Sequence, residues 1–252
     1  NIAIGASSLS AYAASAGTGS YNIAVGDSTL GYNTTGSNNV AIGLQSLFSN
    51  TTASGITAIG YQAGYNNTTG TDLVAIGYGA ALSHTTGRGN LAIGYNSLNL
   101  TTTGVGNTAV GTQETGVGNA ALNANTTGSY NTALGTSALK SNTTASNNTA
   151  VGYQAGYTNT TGTPNTFIGY QAGYTNSTGT YITAVGKGAG YSTSTTNYGT
   201  YLGTEAGYNA TGANNTFVGQ GAGYFVTSGA KNSILGMYNG NQNSLDIRTT
   251  SN

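Results

Sequence analysis

Cysteine is absent from this chain, charge is nearly absent, and no apolar run approaches the length a membrane-spanning helix needs. Each lack narrows what the protein does. Without cysteine the fold does not rely on disulfides, which fits an extracellular protein but excludes no compartment. Five basic and five acidic residues among 252, with net charge zero, provide no basic stripe to displace counterions from phosphates. Nucleic acid is therefore not an expected partner. Block-charged segments suited to a membrane surface are missing too. A metal site needs clustered His, Cys or carboxylates, and a Ser-His-Asp triad would have to use the single histidine, His84. Low charge with modest hydrophobicity invites a reading of disorder. Nineteen tyrosines and a strict repeat argue instead for a folded chain.

The repeat is carried by glycine. Gly5, Gly26, Gly43, Gly60, Gly77, Gly94, Gly111, Gly135, Gly152, Gly169, Gly186, Gly203, Gly219 and Gly236 each close a short strand-like segment, most of them of the form Asn-x-Ala-(Ile/Val/Leu)-Gly. Ten of the thirteen intervals are 17 residues; the others are 21, 24 and 16. Self-similarity at a fixed short period marks a solenoid, whose coils bury their apolar face only by stacking. The expectation is all-β: a parallel β-solenoid of about 14 coils over 1–236, roughly 60 Å long at ~4.8 Å per coil. No 3.6-residue apolar period appears, so helices are not expected. Four extra residues fall near 11–19 and seven near 112–118. From Met237 the pattern decays, and 237–252 reads as an exit segment toward a further C-terminal module. The chain begins and ends inside repeat-like sequence, as a segment of a longer protein would.

Within one coil, a large aliphatic precedes the strand-closing Gly (Ile4, Val25, Ile42, Ile59 and onward) and is expected to form the core. The residue before it is Ala in ten coils and Phe167, Tyr201, Phe217 or Ile234 in the rest. This smaller column is expected on the opposite face, as a seam between copies of the chain. The following half-coil, such as Tyr153-Gln154-Ala155-Gly156-Tyr157, reads as a second short strand whose Gly permits a bend. An Asn-Thr-Thr-Gly corner completes the coil. The Asn that recurs four residues before the closing Gly in ten coils is expected to stack in an amide ladder up the rod.

Asn-(Ser/Thr)-x-Ala-Ile-Gly followed by a Gly- and Ala-rich half-coil resembles the head repeats of trimeric autotransporter adhesins, repeats that also occur in bacteriophage tail fibres. The likeness runs from Asn1 to about Gly236. It implies a left-handed β-roll, a homotrimer, and a role as shaft or head in attachment to a host surface. The Asn239-Gly240-Asn241-Gln242 and Leu245-Asp246-Ile247-Arg248-Thr249 runs look like junctions in phage structural proteins, which favours a virion fibre over a bacterial adhesin head. The implied partners are other copies, adjoining fibre modules and a cell-surface glycan or protein receptor, outside the cell.

Neither catalytic residues, a cofactor site nor a metal site is expected, because Asp27, Asp72, Glu114, Glu205 and Asp246 lie in separate coils. His84 takes the corner slot that Asn fills elsewhere and is expected to be a solvent-exposed turn residue. The paired corner threonines (Thr34/Thr35 and their repeats) resemble ice-binding arrays, although their place beside turn residues favours structural stacking. Tyrosine columns such as Tyr61, Tyr78 and Tyr95 suit either sugar contact or covering a thin core. Sequons recur at Asn33, Asn50, Asn67, Asn125, Asn142, Asn159 and Asn176. Selective recognition is expected where the surface is unique, at the insertions: Tyr12, and Thr112, Gln113, Glu114 and Thr115.

Overall fold

The computed structural model describes residues 1–10, 19–112, 119–242 and 245–246. They form two compact units, Asn1–Tyr130 and Asn131–Asn252, each a parallel β-solenoid with one short strand per coil and no helix among the described residues. The first unit holds β1 (Ile2–Ile4), β2 (Ile23–Val25), β3 (Val40–Ile42), β4 (Thr57–Ile59), β5 (Val74–Ile76), β6 (Leu91–Ile93) and β7 (Thr108–Val110). The second holds β8 (Thr132–Leu134), β9 (Thr149–Val151), β10 (Asn165–Ile168), β11 (Ile182–Val185), β12 (Thr200–Leu202), β13 (Thr216–Val218) and β14 (Ser233–Leu235). An antiparallel pair follows, β15 (Asn241–Gln242) with β16 (Leu245–Asp246). That makes about fourteen coils.

Neighbouring strands pair in register, residue on equivalent residue, as in Val40 with Thr57 and Ile42 with Ile59. The closing glycine makes the register possible. Gly77 has φ +131°, and a Cβ there would lie 2.6 Å from the Gly94 carbonyl oxygen of the next coil. Only a residue without a side chain turns the corner and lets the next coil approach.

The half-coil after this glycine is not a second strand. It is a run of overlapping turns in which every other residue is left-handed: Gln45 and Leu47 have φ 57° and 50°, Gln62 and Gly64 have 52° and 61°. Local bonds such as Ser46 N–H to Gly43 O (3.1 Å) alternate with bonds to the next coil such as Leu47 N–H to Ala63 O (3.0 Å). The Gly seen there in the sequence answers this backbone demand. Leucine meets it in other coils at a steric cost of about 1–2 kcal/mol, offset by complete burial of Leu30, Leu47, Leu98, Leu122 and Leu139.

The two strand faces are the reverse of the expectation. Ala24, Ala41, Ala58, Ala75, Ala92 and their successors are fully buried, with Phe167, Tyr201 and Phe217 in the same column. Val25, Ile42, Ile59, Ile76 and Ile93 point outward, half-buried or exposed. The alanine column is thus core, not a seam, and the aliphatic column is surface. The reason is room. A 17-residue coil must also enclose its turn-side leucines and the buried amides of its corners, which leaves space for a methyl group beneath most strands.

Where the strand places an aromatic ring inside, the turn side gives way. Gly173, Gly207 and Gly223 lie against Phe167, Tyr201 and Phe217, and a Cβ at any of them would overlap the ring. Alanine facing leucine, as in Ala41 and Leu47, becomes phenylalanine facing glycine, and where alanine faces glycine, as at Gly64 and Gly156, side chains of neighbouring coils (Leu47 and Leu73; Leu139 and Phe167) take the space.

Two columns of buried asparagine bind coil to coil. In the strand column the side chain bridges mainly to backbone, with one amide-to-amide contact, from Asn107 Nδ2 to Asn90 Oδ1 (3.2 Å). Asn39 Oδ1 accepts the Ile56 N–H (3.0 Å), while Asn39 Nδ2 donates to the Ala53 carbonyl of the next corner (3.0 Å). Asn22, Asn90, Asn107 and Asn165 donate likewise to corner carbonyls. A repeated amide-to-amide ladder runs in the corner column: Asn50 Nδ2 donates to Asn33 Oδ1 (2.8 Å), Asn67 to Asn50 (3.1 Å) and Asn176 to Asn159 (2.9 Å).

The volume exchange is testable. Phe167→Ala should cost about 3–5 kcal/mol, and Gly173→Leu should also destabilise by steric overlap. The double variant, which recreates the Ala24/Leu30 arrangement, should be more stable than either single change, with a coupling of at least about 1 kcal/mol in urea melts. Additive losses would show that the two sites do not share one space.

Candidate functional site: an apolar strand face and the turn-side columns

The outward strand face is the largest feature that the fold leaves unaccounted for. Each strand contributes two outward side chains, two residues apart. In the first unit these pairs are Ile2/Ile4, Ile23/Val25, Val40/Ile42, Thr57/Ile59, Val74/Ile76, Leu91/Ile93 and Thr108/Val110. Ile42 is 37% and Ile59 36% exposed, and no charged residue stands in either column. In the second unit the aliphatic column continues as Leu134, Val151, Ile168, Val185, Leu202 and Val218, but its companion is threonine in six strands and serine in β14. Both faces are flat, uncharged and rigid, because β-branched side chains hold few rotamers. The sequence carried a sign of this placement: aliphatics at both positions two apart in the first unit, when one buried column is enough for a core.

The tyrosines of the turn side form ladders. Tyr61, Tyr78 and Tyr95 stack with ring centroids 4.8 Å apart at each step. Tyr157, Tyr174, Tyr191, Tyr208 and Tyr224 stack at 5.1, 5.0, 4.7 and 5.1 Å. Lys140 Nζ lies 4.9 Å from the Tyr157 ring centroid at one end, and Phe225 closes the other end edge-on at 4.9 Å. The ring faces are therefore spent on each other, and what they present is edges and hydroxyls. In this ladder burial raises the pKa of Tyr174 and Tyr208, neighbouring phenols add to it, and Glu205 contributes last at Tyr208.

His84 is buried, contrary to the expected exposed turn residue. It substitutes for asparagine in the corner ladder. Asn67 Nδ2 donates to Asn50 and Gly70, which leaves Asn67 Oδ1 to accept from His84 Nδ1 at 2.8 Å. On the other side Asn90 Nδ2 donates to His84 Nε2 at 3.0 Å while Asn90 Oδ1 accepts the Asn107 N–H. The ring is held neutral, protonated on Nδ1, with both nitrogens occupied. Burial lowers its pKa from 6.5 to about 4. Its role is to hold the corner.

The first corner threonine is committed to the fold as well. Thr34 Oγ1 donates to the Thr51 carbonyl at 2.9 Å, and Thr51, Thr68 and Thr85 repeat the contact one coil on. The corner sequon asparagines Asn33, Asn50, Asn67, Asn125, Asn142, Asn159 and Asn176 are buried, whereas Asn147 and Asn214, which also begin Asn-x-Thr, are exposed. A glycosyltransferase cannot reach the seven corner asparagines in the folded protein.

Of the expected recognition residues, Thr112 is exposed directly after Gly111. Tyr12, Gln113, Glu114 and Thr115 lie outside the described residues. The flanking register places the two insertions at different corners. Leu9 N–H bonds to Thr29 O and Gly19 N–H to Thr34 O, so the first opens in the Asn-Thr-Thr-Gly corner. Leu98 N–H bonds to Ala121 O, so the second opens between the strand and its turns. Among the described residues no three His, Asp or Glu side chains cluster as a metal site would require. No helix among them is long and apolar enough to cross a membrane.

Compared with protein-family models, curated proteins and solved structures, the chain finds no match.

His84 makes acid sensitivity predictable. Its folded pKa is depressed, so on acidification the unfolded chain takes up the proton first. Stability is complete above about pH 6.5, falls as pH drops toward about 4, and is flat below that. The full loss is about 3 kcal/mol. The chain has only five acidic residues besides. Thermal melts at pH 7 and pH 4.5 should show the drop in the wild type and a much smaller one in His84→Asn, which restores the ladder residue. Equal drops would remove His84 as the cause.

Proposed function

We propose that the chain is a structural and adhesive segment of an extracellular fibre, preferably a virion fibre, whose copies associate through the outward aliphatic strand face. The observation that carries this reading is that face: in the first unit, twelve of the fourteen outward strand positions are Ile, Val or Leu, with no charge. Seven rungs at ~4.8 Å make an apolar strip nearly 30 Å long. Monomeric soluble proteins rarely leave such a surface in water. A repeat surface that is identical coil after coil is well suited to rotational symmetry, because matching one rung matches them all.

The resemblance to autotransporter heads supports three copies and a left-handed coil. It also supports a bacterial adhesin head as the second setting for the same mechanics. In either, the fibre's work is to stay rigid at a distance from its anchor and to present a repeated surface, so weak contacts sum along its length. Adjoining modules and a glycan or protein receptor are the partners this requires. A non-enzymatic role is supported by His84, whose nitrogens are both engaged in the fold, and by the scattered carboxylates.

Light scattering at micromolar concentration should return three chain masses. Ile42→Lys with Ile59→Lys should release monomers whose β-rich circular dichroism is preserved, because both side chains point away from the core. A wild-type monomer would overturn assembly through this face. Incubation with host-surface polysaccharide should release no reducing sugar. Release that is abolished by changing Glu114 or Glu205 would instead establish a depolymerase.

A further inference from the structure

On the turn side of the second unit, the position two residues after the closing glycine reads Gln154, Gln171, Gly188, Glu205 and Gly221 in successive coils. The backbone is left-handed there whatever the residue: φ is 55° at Gln154, 53° at Gln171, 57° at Glu205 and 62° at Gly221. At Gly221 a Cβ would meet nothing within 4 Å. The missing side chain therefore leaves a notch, not a tight backbone contact. The result is a cleft of about 290 Å³ bordered by Glu205, Gln220, Tyr224, Phe225, Met237 and Asn239. Tyr224 is the last rung of the five-ring ladder, so the cleft opens where that ladder stops. Asn239 is oriented by its neighbours: its Oδ1 accepts the Asn241 N–H at 3.0 Å and its backbone oxygen accepts the Phe225 N–H at 2.7 Å. Its amide hydrogens remain for a guest.

We propose that this cleft is a subsite for one neutral sugar ring of a surface glycan, with the rest of the glycan running along the tyrosine ladder. A pyranose has an apolar C–H face and a rim of adjacent hydroxyls. Tyr224, Phe225 and Met237 offer the apolar wall, and the Glu205 carboxylate, as acceptor only, takes two neighbouring hydroxyls. The amides of Gln220 and Asn239 both donate and accept, which suits hydroxyls better than a cation, for which half of their capacity is wrong. The volume suits one ring and is below that of drug-sized sites. Along the ladder the rings recur every 4.7–5.1 Å. An extended, equatorially linked hexose chain advances by nearly the same distance per sugar. Successive sugars therefore meet successive phenol edges and hydroxyls.

This inference rests on the reading of the chain as an attachment module, and it fails separately from it. The full chain would be titrated calorimetrically with neutral hexoses, N-acetylhexosamines and their β-linked oligomers, and in parallel with choline and lysine methyl ester. The expected result is millimolar binding of a single sugar that strengthens at least about tenfold by four sugars, as added contacts accumulate along one strand. Gly221→Gln inserts the residue that Gln154 and Gln171 already carry at the same φ. It should weaken sugar binding more than about tenfold, with unchanged circular dichroism and oligomeric mass. Glu205→Gln should weaken it as well. No sugar binding, binding untouched by Gly221→Gln, or a preference for the ammonium probes would overturn the subsite. Adsorption of the parent particle or cell that needs this chain but ignores Gly221→Gln would keep the attachment role and remove the cleft from it.

Discussion

The structure depends on a buried carboxamide that bridges one coil to the next. A 17-residue coil with a three-residue strand leaves corner N–H and carbonyl groups without sheet partners, and burying them unpaired is expensive. Asn39 answers both needs at once, accepting from the backbone N–H of Ile56 and donating to the carbonyl of Ala53. The corner asparagines close the turn within their own coil, as Asn50 does with Ala53 at 3.1 Å, and link amide to amide along the stack. Because each bond requires a partner one period away, the period itself is selected. An insertion survives only if the chain is back in register after it, as the residues flanking 11–18 and 113–118 are.

From that constraint follows the inverted distribution of size. Amides and turn-side leucines fill the interior, alanine is what fits beneath the strand, and the large aliphatics go outside. A globular domain would hide them. Here they form an apolar strip on the surface, and the proposed association of copies rests on it. The second unit tempers the strip with threonine on six strands, which keeps the shape and lowers the hydrophobicity. The turn side offers different chemistry, tyrosine edges and amides, and a notch at Gly221.

Imperfections mark where substitutions strain the scheme. The Tyr201 hydroxyl is buried without a partner, and burial raises its pKa; Phe167 and Phe217 fill the same column without that cost. Asn176 Oδ1 likewise lacks a donor, since the next coil presents Thr193, whose hydroxyl turns back to Gly190 at 2.8 Å. His84 fits the ladder only as a neutral ring.

The sequence by itself determined the period, the all-β solenoid, the in-register strands and the places where the rhythm breaks, because glycine, asparagine and the alternating strand residues each answer a local backbone demand that repeats every 17 positions. It also marked the corner threonines as structural. It did not say which strand face is inside. Alternation defines two faces equally well, and the choice was made by interior volume, which depends on turn-side leucines that lie several residues away in the chain. Nor did it separate a second strand from a run of turns, because Gln62 and Leu47 adopt left-handed conformations that neither residue prefers alone. The burial of His84 and of the corner asparagines, and the cleft at Gly221, likewise arise between coils. They were decided only when residues 17 apart came to rest one above the other.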